Sequence, residues 1–356
     1  MKENLKTIVF KVDPENPEEE KISVAAEAIR RGGIVAFPTE TVYGLGVDAL
    51  NQEAVKRMYE VKGRPPDNPT IVHIAEFNDV YKLAVDVPEV AEELMRRFWP
   101  GPLTIVLKAS KIVPRVTTGG LETVGIRMPK HKVALALIRA SKTPIAAPSA
   151  NIAGKPSPTT AQHVIQDFYG SIDVILDAGP TKIGVESTVL DLTTKPPQIL
   201  RPGGVTYEEL KEVLGEVIVH EAAKARESVQ LIEARSPGMK YRHYAPKAEL
   251  IVVEGETNRI VEEIKKLIDE YSKMGKKVGV MATDETIENY KTGIVKSVGS
   301  RLDLSTIARN LFRILREFDD EGVEVILAEG VPEEGLGLAI MNRLRKASGY
   351  KIIHAN

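Results

Sequence analysis

Several short stretches gather side chains that could hold an anion beside a small polar ligand. Val61-Lys-Gly-Arg-Pro-Pro-Asp-Asn-Pro69 sets Lys62 and Arg64 on either side of a glycine, and three prolines stiffen the chain that follows. Arginine offers phosphate a planar fork and lysine a compact charge, so a stiff loop carrying both can grip an anion with little ordering cost. An exposed basic turn is the plainer reading. Pro38-Thr-Glu-Thr-Val-Tyr-Gly-Leu-Gly46 is dense in hydroxyls, and Gly44 and Gly46 permit close approach of backbone. It reads either as a binding loop beyond a strand's carboxyl end or as a turn with capping threonines. Arg127 lies within the apolar Val124-Gly-Ile-Arg-Met-Pro129. A strand arginine near a core needs a fixed partner, a protein acid or a ligand carboxylate. Ala146–Ser157 runs from an apolar strand into Ser149, Asn151, Lys155 and Ser157, and Gly184–Thr188 and Leu200–Gly204 repeat the theme with Ser187 and Arg201. His73 sits among aliphatics in Thr70–Ile74, where a core or rim place is the simpler expectation.

Together these stretches predict a concave site rich in donors and positive charge, matched to a polyanion such as a nucleotide. The phosphate grip must come largely from side chains, because no G-x-x-x-x-G-K-[ST] loop is present. There is also no H-E-x-x-H, no G-x-S-x-G and no kinase signature. The six histidines lack metal-ligand spacing. With no cysteine, the chain has no disulfide, thiolate nucleophile, Cys-ligated zinc or iron–sulfur cluster.

The elements that must position these residues follow from length and periodicity. At about 150 residues per domain, 356 residues predict two domains. Hydrophobic residues at 43% and charged residues at 28% fit a soluble globular chain. A net charge of −2 disfavours a globally basic nucleic-acid binder. No apolar run approaches about 18 residues and charges interrupt the N-terminus early, so no membrane helix or signal peptide is expected and a cytoplasmic location follows. Short strands are expected at Ile34–Phe37, Thr70–Ile74, Leu103–Lys108, Val124–Arg127, Pro144–Ala147, Val174–Asp177, Thr188–Asp191 and Gln198–Leu200. Helices are expected between them, among them Ile22–Arg31 and Glu53–Val61. The alternation implies an α/β domain over 1–219. Residues 220–248 read as a linker in which Tyr241, Arg242, His243 and Tyr244 are unusual for a passive spacer. From 249 to 356 a β-α-β alternation predicts a smaller open parallel sheet, Rossmann-like in pattern. Gly335-Leu-Gly337 is too short for a dinucleotide fingerprint.

Phe37-Pro-Thr-Glu-Thr-Val-Tyr-Gly-Leu45, Lys62-Gly-Arg64, Trp99-Pro-Gly-Pro-Leu-Thr104, Ala147-Pro-Ser-Ala-Asn151 and Gly184-Val-Glu-Ser-Thr188 resemble the YrdC-type threonylcarbamoyl-AMP synthases. The second domain and Lys240–Pro246 resemble that family's two-domain branch, whose members have a twisted open sheet of mixed strands with flanking helices. The resemblance implies a nucleotidyltransferase that joins L-threonine, bicarbonate (or CO2) and ATP into L-threonylcarbamoyl-AMP and pyrophosphate. Magnesium would come with ATP. The product would feed threonylcarbamoyladenosine modification of tRNA beside the anticodon, by way of a separate transferase complex. Whether this chain itself touches tRNA stays open. By carry-over, Lys62 and Arg64 would act in catalysis. Thr41, His73, Arg127, Ala147 and Ser187 would meet threonine. Lys62, Arg64, Asn68, Thr123, Ser149, Asn151, Ser157, Arg201 and Tyr241 would meet ATP, with Tyr241 part of a lid. The resemblance implies no protein metal cage. The rival readings are a double-stranded RNA-binding protein and a nucleotide-hydrolysing regulator.

Overall fold

The computed structural model describes residues 6–227, 234–239 and 243–355. They fall into two compact units: 6–153 with 157–223 and 234–239, and 154–156 with 224–227 and 243–355. In chain order the first unit holds β1 (Ile8–Lys11), α1 (Glu19–Arg30), β2 (Val35–Phe37), β3 (Gly44–Asp48), α2 (Gln52–Lys62) and β4 (Ile71–His73). There follow α3 (Val80–Leu83), α4 (Glu89–Phe98), β5 (Leu103–Lys108), β6 (Thr123–Arg127), α5 (Lys132–Ser141), β7 (Ile145–Ala146) and α6 (Ala161–Phe168). It ends with β8 (Val174–Asp177), β9 (Thr188–Asp191), β10 (Gln198–Arg201), α7 (Tyr207–Leu214), β11 (Ile218–Val219) and the short α8 (Glu221–Lys224).

These strands form one mixed sheet in the order β1-β8-β2-β3-β7-β4-β6-β5-β9-β10-β11. Its centre combines the antiparallel pairs β2/β3, β3/β7 and β4/β7 with the parallel pair β4/β6. Strand alternation splits the core. Val35 and Phe37 pack with Ile22, Ala25, Ala26 and Ile29 of α1 and Val133, Leu137 and Ile138 of α5. Ala36 and Leu45 face the other way, onto Val55 and Met58 of α2 and Leu94 of α4. Both faces are therefore covered, as a sheet of short apolar strands requires.

The second unit contains β12 (Glu249–Gly255), α9 (Thr257–Lys273), β13 (Val278–Ala282), β14 (Ile294–Ser297), α10 (Leu304–Asp320), β15 (Val325–Glu329), α11 (Gly337–Ala347) and β16 (Ile352–Ala355). All its strand pairs are parallel, in the order β14-β13-β15-β12-β16. Ile260, Ile264 and Ile268 of α9 cluster with Ile251, Val253, Val278 and Leu327 on one face. On the other, the bare Cα of Gly279 leaves room for Phe318 of α10, whose ring would lie 2.8 Å from an added Cβ. Among the described residues no helix is long and apolar enough to cross a membrane.

Pattern reading misses four strands. β1, β11 and β16 are edge strands with partly exposed residues, so they lack the apolar run that signals burial. The glycines of β3 make it look like a loop in the sequence. Gly44 and Gly46 are instead strand residues with the Phe37 ring laid over them: a Cβ on Gly46 would lie 2.7 Å from that ring.

Candidate functional site

The cationic pair is placed by a helix end. Asn51 caps α2, accepting from the backbone N–H groups of Glu53 and Ala54, and Gly63 ends it in the left-handed region at φ 67°. Lys62 thus occupies the last helical turn, where the helix dipole favours a cation. Its Nζ donates to the carbonyls of Ser149 (2.6 Å) and Asn151 (2.5 Å), tying α2 to the Ala147–Asn151 loop. Arg64 is buried too. Its Nε donates to the Asn68 carbonyl (3.2 Å) and its Nη2 to that of Pro69 (2.6 Å). The Tyr59 ring lies 5.9 Å from the guanidinium, and its hydroxyl also donates to the Asn68 carbonyl at 3.1 Å. Tyr59 therefore orients the clamp, a role that sequence reading overlooked. The buried Asn68 Oδ1 has no hydrogen-bond partner among the described residues.

A second group forms around the Pro38–Tyr43 loop. The Thr39 hydroxyl donates to the Val42 carbonyl at 2.6 Å and folds the loop on itself. It also lies 2.8 Å from the Thr41 hydroxyl. Backbone bonds from Ile183 to the Glu40 carbonyl (2.8 Å) and from Gly184 to that of Thr41 (3.0 Å) bring the Gly184–Thr188 stretch alongside. There the Ser187 hydroxyl meets that of Thr104 at 2.8 Å, and Arg201 donates to the Ser187 carbonyl (3.1 Å) and hydroxyl (3.2 Å). Ser157, also buried, donates to Glu186 at 2.5 Å.

His73 and Arg127 are register partners at the ends of the parallel strands β4 and β6. The His73 ring stands edge-on to Phe37 at 6.2 Å, and its buried Nδ1 has no hydrogen-bond partner among the described residues. Burial first, then the nearby Arg127 charge, hold its pKa down to about 3, so the imidazole is neutral at neutral pH. Arg201 pushes in the same direction. Arg127 Nη2 lies 2.7 Å from Glu40 Oε1, with both side chains about 5% exposed. The pair is close but misaligned for a hydrogen bond, and among the described residues neither Glu40 oxygen has a hydrogen-bond donor. Of the partners open to Arg127 on sequence grounds, the protein acid is thus present.

The structure therefore links Lys62 with Ser149 and Asn151, Arg64 with Asn68, Thr41 with the loop that carries Ser187, and Ser187 with Arg201. Ala147 packs next to Gly44, where an added Cβ would come within 3.3 Å of its own. Thr123 stands apart. It opens β6 opposite Lys108, four residues and roughly 13 Å of strand from Arg127. Tyr241 lies outside the described residues. Lys62, Arg64, Arg127 and Arg201 are all buried, as are Glu40 and Glu186.

The chain has extensive relatives. Residues 27–203 match the Sua5/YciO/YrdC family, described as telomere recombination, and residues 205–349 match the threonylcarbamoyl-AMP synthase C-terminal domain. The chain is 57% identical to the threonylcarbamoyl-AMP synthase of Pyrococcus abyssi, across 98% of this chain and 99% of that one. It belongs to the threonylcarbamoyl-AMP synthase family. The Bacillus subtilis member is 52% identical across 94% of both chains. A solved structure of P. abyssi Sua5 with L-threonine superposes with a TM-score of 0.93 at 56% identity, across 98% of this chain and all of that one. The similarity thus spans both halves of the two-domain synthase architecture.

Proposed function

We propose that this chain makes L-threonylcarbamoyl-AMP and pyrophosphate from L-threonine, bicarbonate or CO2, and ATP. The observation that carries this reading is the set of buried cations beside hydroxyl and amide donors, in a chain similar to such synthases along nearly its whole length. The threonine amine and CO2 form a carbamate. A carbamate oxygen then attacks the α-phosphorus of ATP, a P–O bond forms, the bond to the β-phosphate oxygen breaks, and pyrophosphate leaves. No protein nucleophile is needed. The protein orients two small reactants and stabilises charge on the adenylyl group in transfer.

Lys62 and Arg64 serve that charge, with Asn68, Ser149, Asn151, Ser157 and Arg201 completing the nucleotide grip. Thr41, Ala147 and Ser187 line the threonine side, and Arg127 takes its carboxylate. His73, being neutral, supplies a hydrogen bond there without adding charge. Thr123 and Tyr241 join the nucleotide contacts on the family resemblance alone. Magnesium enters as part of the nucleotide substrate. Glu40 and Glu186 are engaged by Arg127 and Ser157, which leaves the ion to the phosphates. The product passes to a separate transferase complex for tRNA modification in the cytoplasm.

Pyrophosphate release tests the reading. It is expected only with ATP, threonine and bicarbonate together, and to vanish in carbonate-depleted buffer. Undiminished release without bicarbonate would refute the carbamate route.

A further inference from the structure

The second unit holds a cavity of about 680 Å³ that the reaction above does not use. Its position follows from the sheet. β12 and β15 are parallel neighbours, and the chain leaves β12 into α9 but leaves β15 towards α11. α9 packs on the face of Ile251 and Val253. α10 packs on the opposite face, over Gly279, and α11 packs with α10. The chain therefore parts to opposite faces beyond the ends of two adjacent strands, the crevice where open parallel sheets take ligands. The cavity opens there, lined by Gly255 and Gly330, which directly follow or end those strands.

Three features of the lining point to one chemistry. Gly255 and Gly330 keep the crevice bare. A Cβ on Gly255, at φ +145°, would lie 2.5 Å from the Ala355 carbonyl, and one on Gly330 3.1 Å from that of Val253. Arg301 is held in advance: Nε on the Thr283 hydroxyl (3.1 Å), and Nη2 on Glu329 (3.1 Å) and the Gly330 carbonyl (2.9 Å). Its Nη1 takes part in none of these bonds. The Glu329 carboxylate beneath is already satisfied by Thr283, Thr286 and Tyr290 at 2.5–3.2 Å, so it does not require Nη1. Lastly, Thr257 begins the 17-residue α9, whose N-cap Glu256 makes no side-chain cap bond. The first-turn N–H groups beside the cavity are thus left for a ligand. Arg345 is spoken for, bound by both oxygens of Glu254 and by Glu333.

We propose that this crevice binds a small metabolite through an oxyanion, carboxylate or phosphate, seated between Arg301 Nη1 and the N-terminus of α9. The volume suits a ligand up to nucleotide size. Its lining shares no residue with the threonine and ATP set, and the proposal does not rest on the reaction assigned to them.

Calorimetric titration of the full chain with inorganic phosphate, and separately with acetate, tests it. An Arg64→Ala background silences the catalytic anion clamp. A saturable site is expected to survive in that background. Adding Arg301→Gln should weaken it about tenfold, as loss of a charged hydrogen bond would. Because Arg301 also braces Glu329, Thr257→Pro is the second variant. Proline is favoured at the first helical position, and Glu256 is already extended at ψ 139°, so α9 is retained while one N–H is lost. It should weaken binding by about threefold with an unchanged melting temperature. Tighter phosphate than acetate assigns a phosphorylated ligand, and the reverse a carboxylated one. Absence of any saturable site in the Arg64→Ala background, or affinity unmoved by both added variants, overturns the proposal.

Discussion

His73 shows how burial sets the chemistry of a single group. An unfolded imidazole titrates near 6.5, whereas this one is held to about 3 by burial and by Arg127. Between those values the unfolded chain binds more protons, so stability must fall as pH drops from about 6.5 towards 3. His73→Gln is expected to flatten that part of the denaturation profile by up to one proton. An unaltered slope would place the group's titration elsewhere. Glu40 makes a second prediction. Glu40→Gln leaves Arg127 buried without a counter-charge, a loss of about 3–5 kcal/mol for a broken buried pair. If Arg127 takes the threonine carboxylate, saturating threonine should raise the melting temperature of the variant more than that of the parent. An equal shift would separate Arg127 from threonine. Arg64→Ala should slow pyrophosphate release by more than about tenfold, the scale of a lost transition-state donor. A near-normal rate would remove Arg64 from the chemistry.

Among elements, α2 and β3 decide most. α2 runs from a side-chain cap to a left-handed glycine, so its length and end point fix where Lys62 emerges. The cap is worth about 1 kcal/mol, and Asn51→Ala should lose that much in denaturant titration while leaving Lys62 bonded to the same carbonyls. β3 depends on space rather than capping. Gly46→Ala would drive a methyl to 2.7 Å from Phe37 and 2.8 Å from Ile145. Overpacking of this kind costs about 1–3 kcal/mol. Because Phe37 also stands against His73, threonine affinity should fall together with stability. Stability falling alone would show that the strand can shift without moving the site.

At the scale of the whole molecule, two sheets with different rules share one chain. The first is mixed, and its loops interlace by backbone bonds. The second is wholly parallel, and its crevice comes from connectivity. Residues 154–156 group with the second unit although they lie between Asn151 and Ser157 in sequence. Truncation after Pro246 takes away the body with which that segment groups, and is expected to lower the rate of pyrophosphate release. Full activity in the truncated chain would show that Ser157 is positioned without it.

Composition and local pattern were enough for an α/β chain, a parallel second sheet and the loops that carry Lys62, Arg64, Ser149, Asn151, Ser187 and Arg201. Those are properties of short stretches: periodicity, turn residues and side-chain chemistry are all written within about ten positions. The sequence by itself could not say that Arg127 is paired with Glu40, that Tyr59 braces Arg64, or that Gly44 and Gly46 run within a strand beneath Phe37. Each of these is a contact between segments brought together only when the sheet closes. Burial and the charges of neighbours, which hold His73 neutral, exist only once distant parts of the chain share one interior.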